Sequence, residues 1–379
     1  MSAGSALVLE AHPKIAEIET LWRTLEGPAA SPGLRYEWLA ALEATGCVTP
    51  KRGWAPHHLV LRTEAGDLVG AAPCYVKGHS EGEFVFDFAW ANAAPRFGVE
   101  YYPKLLVAVP FTPASGSRVL VPPGGDPELA ARGIAAGLAR AAESLDLSSA
   151  HVLFPTNAEA DRLASSGMLS RLGIQYHFHN PGYPSFEGFL ASLPQKRRTQ
   201  IRRERKALLA QGIRIETVVG KDADAPLIDA MFDFYAATVD KFYWGRRYLN
   251  RAFFEEVFSK MGEALEIVVA RDASRKPIAG ALNLRGDKTL YGRYWGATVD
   301  VPFLHFNVCY YHSIDTCIER GISTFEPGAG GEHKAARGFD PTVTRSLHLI
   351  RDPRFRAAIG DFLEREREAV LAEAAIADG

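Results

Sequence analysis

The sequence predicts an α/β protein of two domains, each a mixed β-sheet flanked by helices. Three observations predict it. The chain has 379 residues, and a single hydrophobic core usually stops growing at about 250–300 residues. Short β-branched and aromatic runs alternate with helical stretches along its whole length. A similar order, helices, then strands, then helix and strand, appears twice without any repeat of sequence, which suggests two copies of one supersecondary plan.

The elements follow in order. "KIAEIETLWRTLE" sets Ile15, Ile18, Leu21, Trp22 and Leu25 at helical spacing, and "YEWLAALEATG" is a second helix ending on Gly46. "HHLVLRT" and "LVGAAPCYVKG" read as strands joined by the turn "EAGD", and "YPKLLVAVPF" and "SRVLVPP" as further strands. "DPELAARGIAAGLARAAESL" is a helix with an acidic, proline-containing start, and "AHVLFP" a buried strand. The second round begins with one long helix, "FEGFLASLPQKRRTQIRRERKALLAQG", and strand "IRIETVV". Helices "APLIDAMFDFYAATVDKF" and "RAFFEEVFSKM" come next, then strands "LEIVVARD", "KPIAGALNLRG" and "KTLYGRYWGA". Helix "HFNVCYYHSIDTCIERG", strand "STFEPG", a glycine-rich stretch and strand "TRSLHLI" complete it. This order is that of the GNAT N-acyltransferase fold, so two such domains are expected, at residues 1–180 and 181–352. An amphipathic helix over 353–379, with Phe355, Ile359, Phe362, Val370 and Leu371 on one face, would dock on the body or on a second subunit of a homodimer.

Composition narrows the function. With 47% hydrophobic residues, 23% charged and a formal net charge of −2, the chain has no global field to recruit nucleic acid or membrane, so electrostatic recognition must be local. No run of about 18 apolar residues exists and the start "MSAGSALVLEAHPK" is not a signal peptide, so a cytoplasmic protein without a transmembrane segment is expected. Cys47, Cys74, Cys309 and Cys317 lack metal or disulfide spacing and read as reduced thiols. The pairs His57/His58 and His177/His179 belong to no HExxH or Cys/His quartet, so no metal is expected, and no GxSxG elbow announces a hydrolase.

Four stretches could carry chemistry. "QKRRTQIRRERKAL" packs Lys196, Arg197, Arg198, Arg202, Arg203, Arg205 and Lys206 around one acid, Glu204. On a helix this is either an anion-binding face for phosphate or RNA, or a solvated face balanced from elsewhere. Tyr101, Tyr102 and Lys104 head an apolar strand, as the wall of a ligand pocket or as buried aromatics. In "LYGRYWGA", strand alternation puts Tyr291, Arg293 and Trp295 on one side, and Gly292 and Gly296 leave room on the other for a backbone or a substrate. Arg293 in such a strand needs a partner if buried, and Glu326 is the candidate unless both face a ligand. In "FEPGAGGEHKAARGF", Glu326 ends a strand, glycines free the backbone, and His333, Lys334 and Arg337 follow. A histidine there can move a proton, and lysine or arginine can hold phosphate or an oxyanion.

"HSEGEFVFDFAWANA", "YYPKLLVAVPFTPASGSRVLV", "RRTQIRRERK", "LYGRYWG" and "FEPGAGGEHKAARGF" together resemble the bacterial peptidoglycan biosynthesis/recognition proteins, a FemAB-like branch of the GNAT superfamily, over residues 7 to 365. The chain departs from that pattern at Gly330, where the family has glutamine, and at Asn307 and His312, where it has an acid and glutamine. The resemblance implies tandem GNAT-like domains and acyl transfer to the amine of a small molecule or cell-wall precursor. The first domain would shape the acceptor site and the second hold the active crevice. In the Fem ligases the donor is aminoacyl-tRNA; no tightly bound cofactor is implied. The alternative donor, acyl-CoA, calls for a Q/RxxGxG/A loop before a helix, which neither "VPPGGDPELA" nor "VPFLHFN" supplies. A non-catalytic module binding cell-wall precursors is the remaining alternative. The expected roles are Glu326 or His333 as base, Lys334, Arg337 and Arg293 as anion holders, Tyr101, Tyr102, Lys104 and Trp295 against substrate, and Lys196, Arg197, Arg198, Arg202 and Arg203 on tRNA phosphates.

Overall fold

The computed structural model describes residues 6–27, 31–241 and 245–376. The expected helix end at Phe242 and the last three residues of the expected C-terminal helix lie outside them. Two compact units emerge: Met1–Ile174 with Val343–Ala377, and Gln175–Thr342.

In the first unit, β1 (Leu7–His12), β3 (His58–Thr63) and β4 (Leu68–Ala72) form an antiparallel sheet, with α1 (Glu19–Leu25) and α2 (Tyr36–Ala44) between the first two strands in sequence. A second sheet begins β2 (Trp54–Pro56), β5 (Cys74–Lys77), β6 (Lys104–Val107), β7 (Ser149–Leu153). Pro73, which has no N–H to give a ladder, is where the expected single strand "LVGAAPCYVKG" divides into β4 and β5 of different sheets. After α3 (Phe88–Ala93), the crossover helix α4 (Pro127–Ser144) makes β6 and β7 parallel, and α5 (Asn157–Ser165) leads to β8 (Leu169–His179). Asp126 starts α4 by accepting the amides of Glu128 and Leu129. Leu59, Leu61, Leu105, Val107, Ile134, Leu138 and Val152 form the core. The expected strand "SRVLVPP" is not one: its only ladder contact among the described residues is an isolated bridge between Ala71 and Leu120, with Pro122 and Pro123 ending any extension.

The second unit carries a sheet in the order β8, β13 (Thr324–Glu326), β12 (Thr289–Ala297), β11 (Pro277–Arg285), β10 (Leu265–Arg271), β9 (Arg214–Val219). Neighbouring strands in this order run antiparallel except β12 with β13, which are parallel. The long helix expected over 186–212 is two, α6 (Phe186–Ser192) and α7 (Gln195–Leu209), because Pro194 forces Leu193 out of the helical region, to φ −90° and ψ 155°. On one face, α8 (Ala225–Asp240) and α9 (Arg251–Met261) bury Met231, Phe234, Phe253 and Phe254. On the other, Leu208, Val268, Ala281, Leu304 and Val308 pack together. The helix after β12 is interrupted: α10 (Leu304–Phe306), a π-turn over Asn307–Tyr311, then α11 (His312–Arg320). The chain returns through β14 (Asp340–Ile350), which pairs with β7 in the first unit, and ends in α12 (Pro353–Ile376). Phe355, Ile359 and Leu363 of α12 bury against Trp90 and Tyr101 of that unit. No helix among the described residues is long and apolar enough to cross a membrane.

Strand β12 corrects the expected alternation. Leu282 pairs with Tyr294 and Asn283 with Gly292, so Arg293 is the extra residue of a β-bulge and Tyr291 does not share a simple two-residue register with Trp295. The space above the glycines is taken by backbone. A Cβ on Gly296 would lie 1.7 Å from the Phe234 carbonyl oxygen of α8, and one on Gly292 would lie 3.1 Å from the Pro327 Cα.

Candidate functional site

The parallel pair β12–β13 ends where the glycine-rich stretch begins, and that stretch is built around two of its own side chains. Gly328, Gly330 and Gly331 all adopt positive φ, a conformation open to glycine and strained for other residues. The turn they make brings the next residues back over it. A Cβ on Gly331 would meet His333 Cε1 at 2.9 Å and Lys334 Cε at 3.2 Å, so both side chains converge over that bare backbone. The Lys334 ammonium donates to the Gly328 carbonyl at 2.6 Å. Lys334 is 2% exposed, and no carboxylate among the described residues neutralises it. Burial pushes its ammonium down to about 8. His333 is exposed at its rim; burial, then the charges of Arg337 and Lys334, hold its imidazole below the usual value and so neutral. Tyr310 in the π-turn meets His333 Nε2 at 3.0 Å.

Arg337 is fixed from behind. Its guanidinium donates to Glu204 Oε1 at 3.0 Å and to the His333 carbonyl at 2.9 Å, and its carbon lies 3.4 Å from the Phe306 ring centroid. Glu204 is 1% exposed, and also accepts from Gln200 at 2.9 Å and from the Tyr311 hydroxyl. The single acid in the basic run is thus the buried anchor joining α7 to the turn, and Arg337 is committed to it. The π-turn lets the adjacent Tyr310 and Tyr311 serve different partners, His333 and Glu204. Glu204 was legible as the one acid of the run; Tyr310, His305 and Phe306 gave no signal beyond a helix rich in rings.

The basic residues of α7 divide. Arg198 caps the end of α6 through the Ala191 and Leu193 carbonyls, Arg202 pairs with Glu187 at 2.6 Å, and Arg205 with Asp315 at 2.9 Å. Lys196, Arg197, Arg203 and Lys206 are exposed, with no acidic partner among the described residues.

Glu326 is buried at the end of β13, opposite Tyr291, with His177 Nε2 3.9 Å from its carboxylate. Burial, then His179 and Lys334, hold His177 down at about 3. Arg293 sits 5.1 Å from the Tyr294 ring centroid, and the Trp295 and His305 ring centroids are 4.7 Å apart. The side chain of Glu332 lies outside the described residues.

Tyr101, Tyr102 and Lys104 form a separate cluster in the first unit. All three Lys104 hydrogens are used, on Ser80 at 2.8 Å, Glu83 at 2.9 Å and Asp87 at 2.5 Å. Tyr101 donates to Asp87 at 2.6 Å, and the half-exposed Tyr102 meets Ser80 at 2.8 Å. Burial opposes ionisation of Asp87, but the Lys104 ammonium outweighs it and holds the carboxyl at about 2. Glu83, where burial prevails over Lys104, rises to about 7.

A comparison with curated proteins gives no match. Among solved structures the chain is similar to FemX, at 11% identity and a TM-score of 0.51, over 94% of this chain and 100% of that one. It is also similar to the C-terminal domain of a putative lysylphosphatidylglycerol synthetase from Agrobacterium fabrum, at 12% identity and 0.57, over 93% and 96%. L-PGS from Bacillus licheniformis is similar at 9% identity and 0.52, over 86% and 95%. At such identities the likeness is one of fold, here the two-unit, GNAT-like mixed α/β fold expected from the order of elements. The FemAB-like family, described as peptidoglycan biosynthesis/recognition, matches residues 14–378. With nearly its whole length matched, this chain belongs to the FemAB-like family.

Proposed function

We propose that the protein is an N-acyltransferase that moves an aminoacyl group from a charged tRNA to an amine of a small-molecule or cell-wall-precursor acceptor. Family membership and the fold shared with FemX support acyl transfer in peptidoglycan-related biosynthesis. The observation that carries the reaction is the convergence of His333 and Lys334 over Gly331. In the proposed step the amine nitrogen bonds to the ester carbonyl carbon while neutral His333 takes its proton. The Lys334 ammonium holds the carbonyl oxygen as it becomes negative. The carbon–oxygen bond to the ribose then breaks, and the imidazolium returns the proton to the ribose oxygen. Arg337, balanced by Glu204, positions the turn and touches no substrate.

Two features favour tRNA over acyl-CoA as donor. The exposed Lys196, Arg197, Arg203 and Lys206 of α7 offer cations to a polyphosphate. Neither candidate helix start is built for a pyrophosphate: Asp126 already caps α4, and the segment leading from β12 into α10 contains no glycine to let a phosphate approach its backbone.

The test supplies the protein with charged tRNA or acetyl-CoA and a panel of amines. Acceptor-dependent loss of the aminoacyl ester, with little free thiol released, is expected. Saturable thiol release would replace the donor by acyl-CoA, and binding without turnover of either would make the protein a binding module.

A further inference from the structure

Beside the His333–Lys334 pair lies a set of aromatic rings for which the transfer step has no use. The Phe306 and Tyr310 rings stack at 21° with centroids 6.1 Å apart. His333 lies 5.8 Å from Phe306 and 6.1 Å from His305, and His305 lies 4.7 Å from Trp295. Tyr310 is buried, Trp295, His305 and Phe306 are partly buried and His333 is exposed, so the edge of the ring set reaches the surface at His333. A second feature adjoins it. On α7, Gln195, Lys196, Thr199, Gln200 and Arg203 line a concavity, and neither cation has an acidic partner among the described residues. Gln200 donates to the same Glu204 oxygen that Arg337 grips, and Arg337 lies on the Phe306 ring. One continuous set of contacts therefore joins the cationic concavity to the ring face. Cations that follow phosphates beside rings that stack bases are the means by which proteins hold single-stranded nucleotides. An apolar peptide or a lipid chain would leave the cations unused.

We infer that this face receives the terminal adenosine of the acyl donor, with the base against Phe306, His305 and His333 and the phosphates in the Lys196–Arg203 concavity. The inference rests on the acyl-transfer reading, in which the acyl ester must lie beside the terminal ribose and hence beside Lys334. Adenosine terminates tRNA and is also part of CoA, so the chemistry is shared and the source is a matter for the test.

The probe is an RNA trinucleotide C-C-A with 2-aminopurine in place of the adenine, whose fluorescence falls when the base stacks. Titration with the full chain should quench it. Phe306→Leu and, at the exposed position, His333→Ala should each weaken binding about tenfold, the scale of one lost base–aromatic stack. The double reversal Lys196→Glu/Arg203→Glu should weaken binding and flatten its salt dependence while the remaining bound probe stays quenched. If CoA displaces the probe and charged tRNA is not used, the ring face stands as an adenosine site, while the tRNA donor and the placing of the ester beside Lys334 both fall. If charged tRNA is a substrate but the probe stays bright, or both ring variants bind it like the wild type, the adenosine site is overturned and the donor assignment survives.

Discussion

His333 and Lys334 are adjacent in sequence, yet their protonation should set opposite limbs of one pH profile. His333 must be neutral to accept a proton, and burial, then Arg337 and Lys334, hold its imidazole below the usual value, so activity should rise with pH along an acid limb whose midpoint lies below that of a free imidazole. Lys334 must be charged to hold an oxyanion, and its ammonium titrates at about 8, so activity should fall above that pH. The dependence of kcat/KM on pH checks this, with Lys334→Arg expected to move the alkaline limb upward because guanidinium keeps its proton. Stability runs the other way. The folded Lys334 titrates at about 8 against an ordinary 10.5, so the unfolded chain binds more protons in that window and stability rises with pH through it. Lys334→Met should therefore leave the thermal midpoint at pH 7 equal or higher while turnover drops about 10²- to 10³-fold, as on loss of an oxyanion donor. A lower midpoint would show the lysine to be a structural tie. These two residues were legible because the glycines, histidine and lysine lie within a few positions. Tyr310, His305 and Phe306 were not, since their approach to the turn depends on a π-turn that helical spacing does not announce.

Helix α7 shows how an element can be read correctly in charge and incompletely in role. Its basic run was legible in the sequence. Glu204 has no apolar periodicity to betray it, because its burial is fixed by Arg337, distant in sequence and adjacent only in the fold. Removing one partner from such a pair leaves an uncompensated charge, so Arg337→Met should destabilise the second unit by about 3–5 kcal/mol. Glu204→Gln in the same chain should recover much of that loss, as read from denaturant midpoints at unchanged m-value. Additive losses in the double variant would show that the pair does not hold α7 to the turn. The break at Pro194 was equally present in the sequence, and the apolar periodicity on both sides concealed it. The bulge at Arg293 carries no turn residue of its own, so strict alternation was the wrong expectation for β12.

At the scale of the molecule, the doubled plan was legible because element order survives when sequence does not. Each unit has two helices within an antiparallel arrangement and a crossover helix that sets up one parallel pair, β6 with β7 and β12 with β13. The sheet partners of β8 and β14 were not legible, because pairing between strands far apart in the chain leaves no local signal. Nor was the different use of the two lysines. Lys104 spends all three hydrogens inside the first unit, whereas Lys334 has no carboxylate among the described residues. That asymmetry is the reason for proposing the chemistry in the second unit. The most direct measurement is single-turnover transfer of a radiolabelled aminoacyl group from charged tRNA to an amine acceptor, comparing the wild type with His333→Ala, Lys334→Met and Lys104→Met, all assayed after confirming the folded fraction. Transfer by the wild type and by folded Lys104→Met, with at least a hundredfold loss in the two second-unit variants, is the predicted result; wild-type transfer rates in both second-unit variants would contradict it.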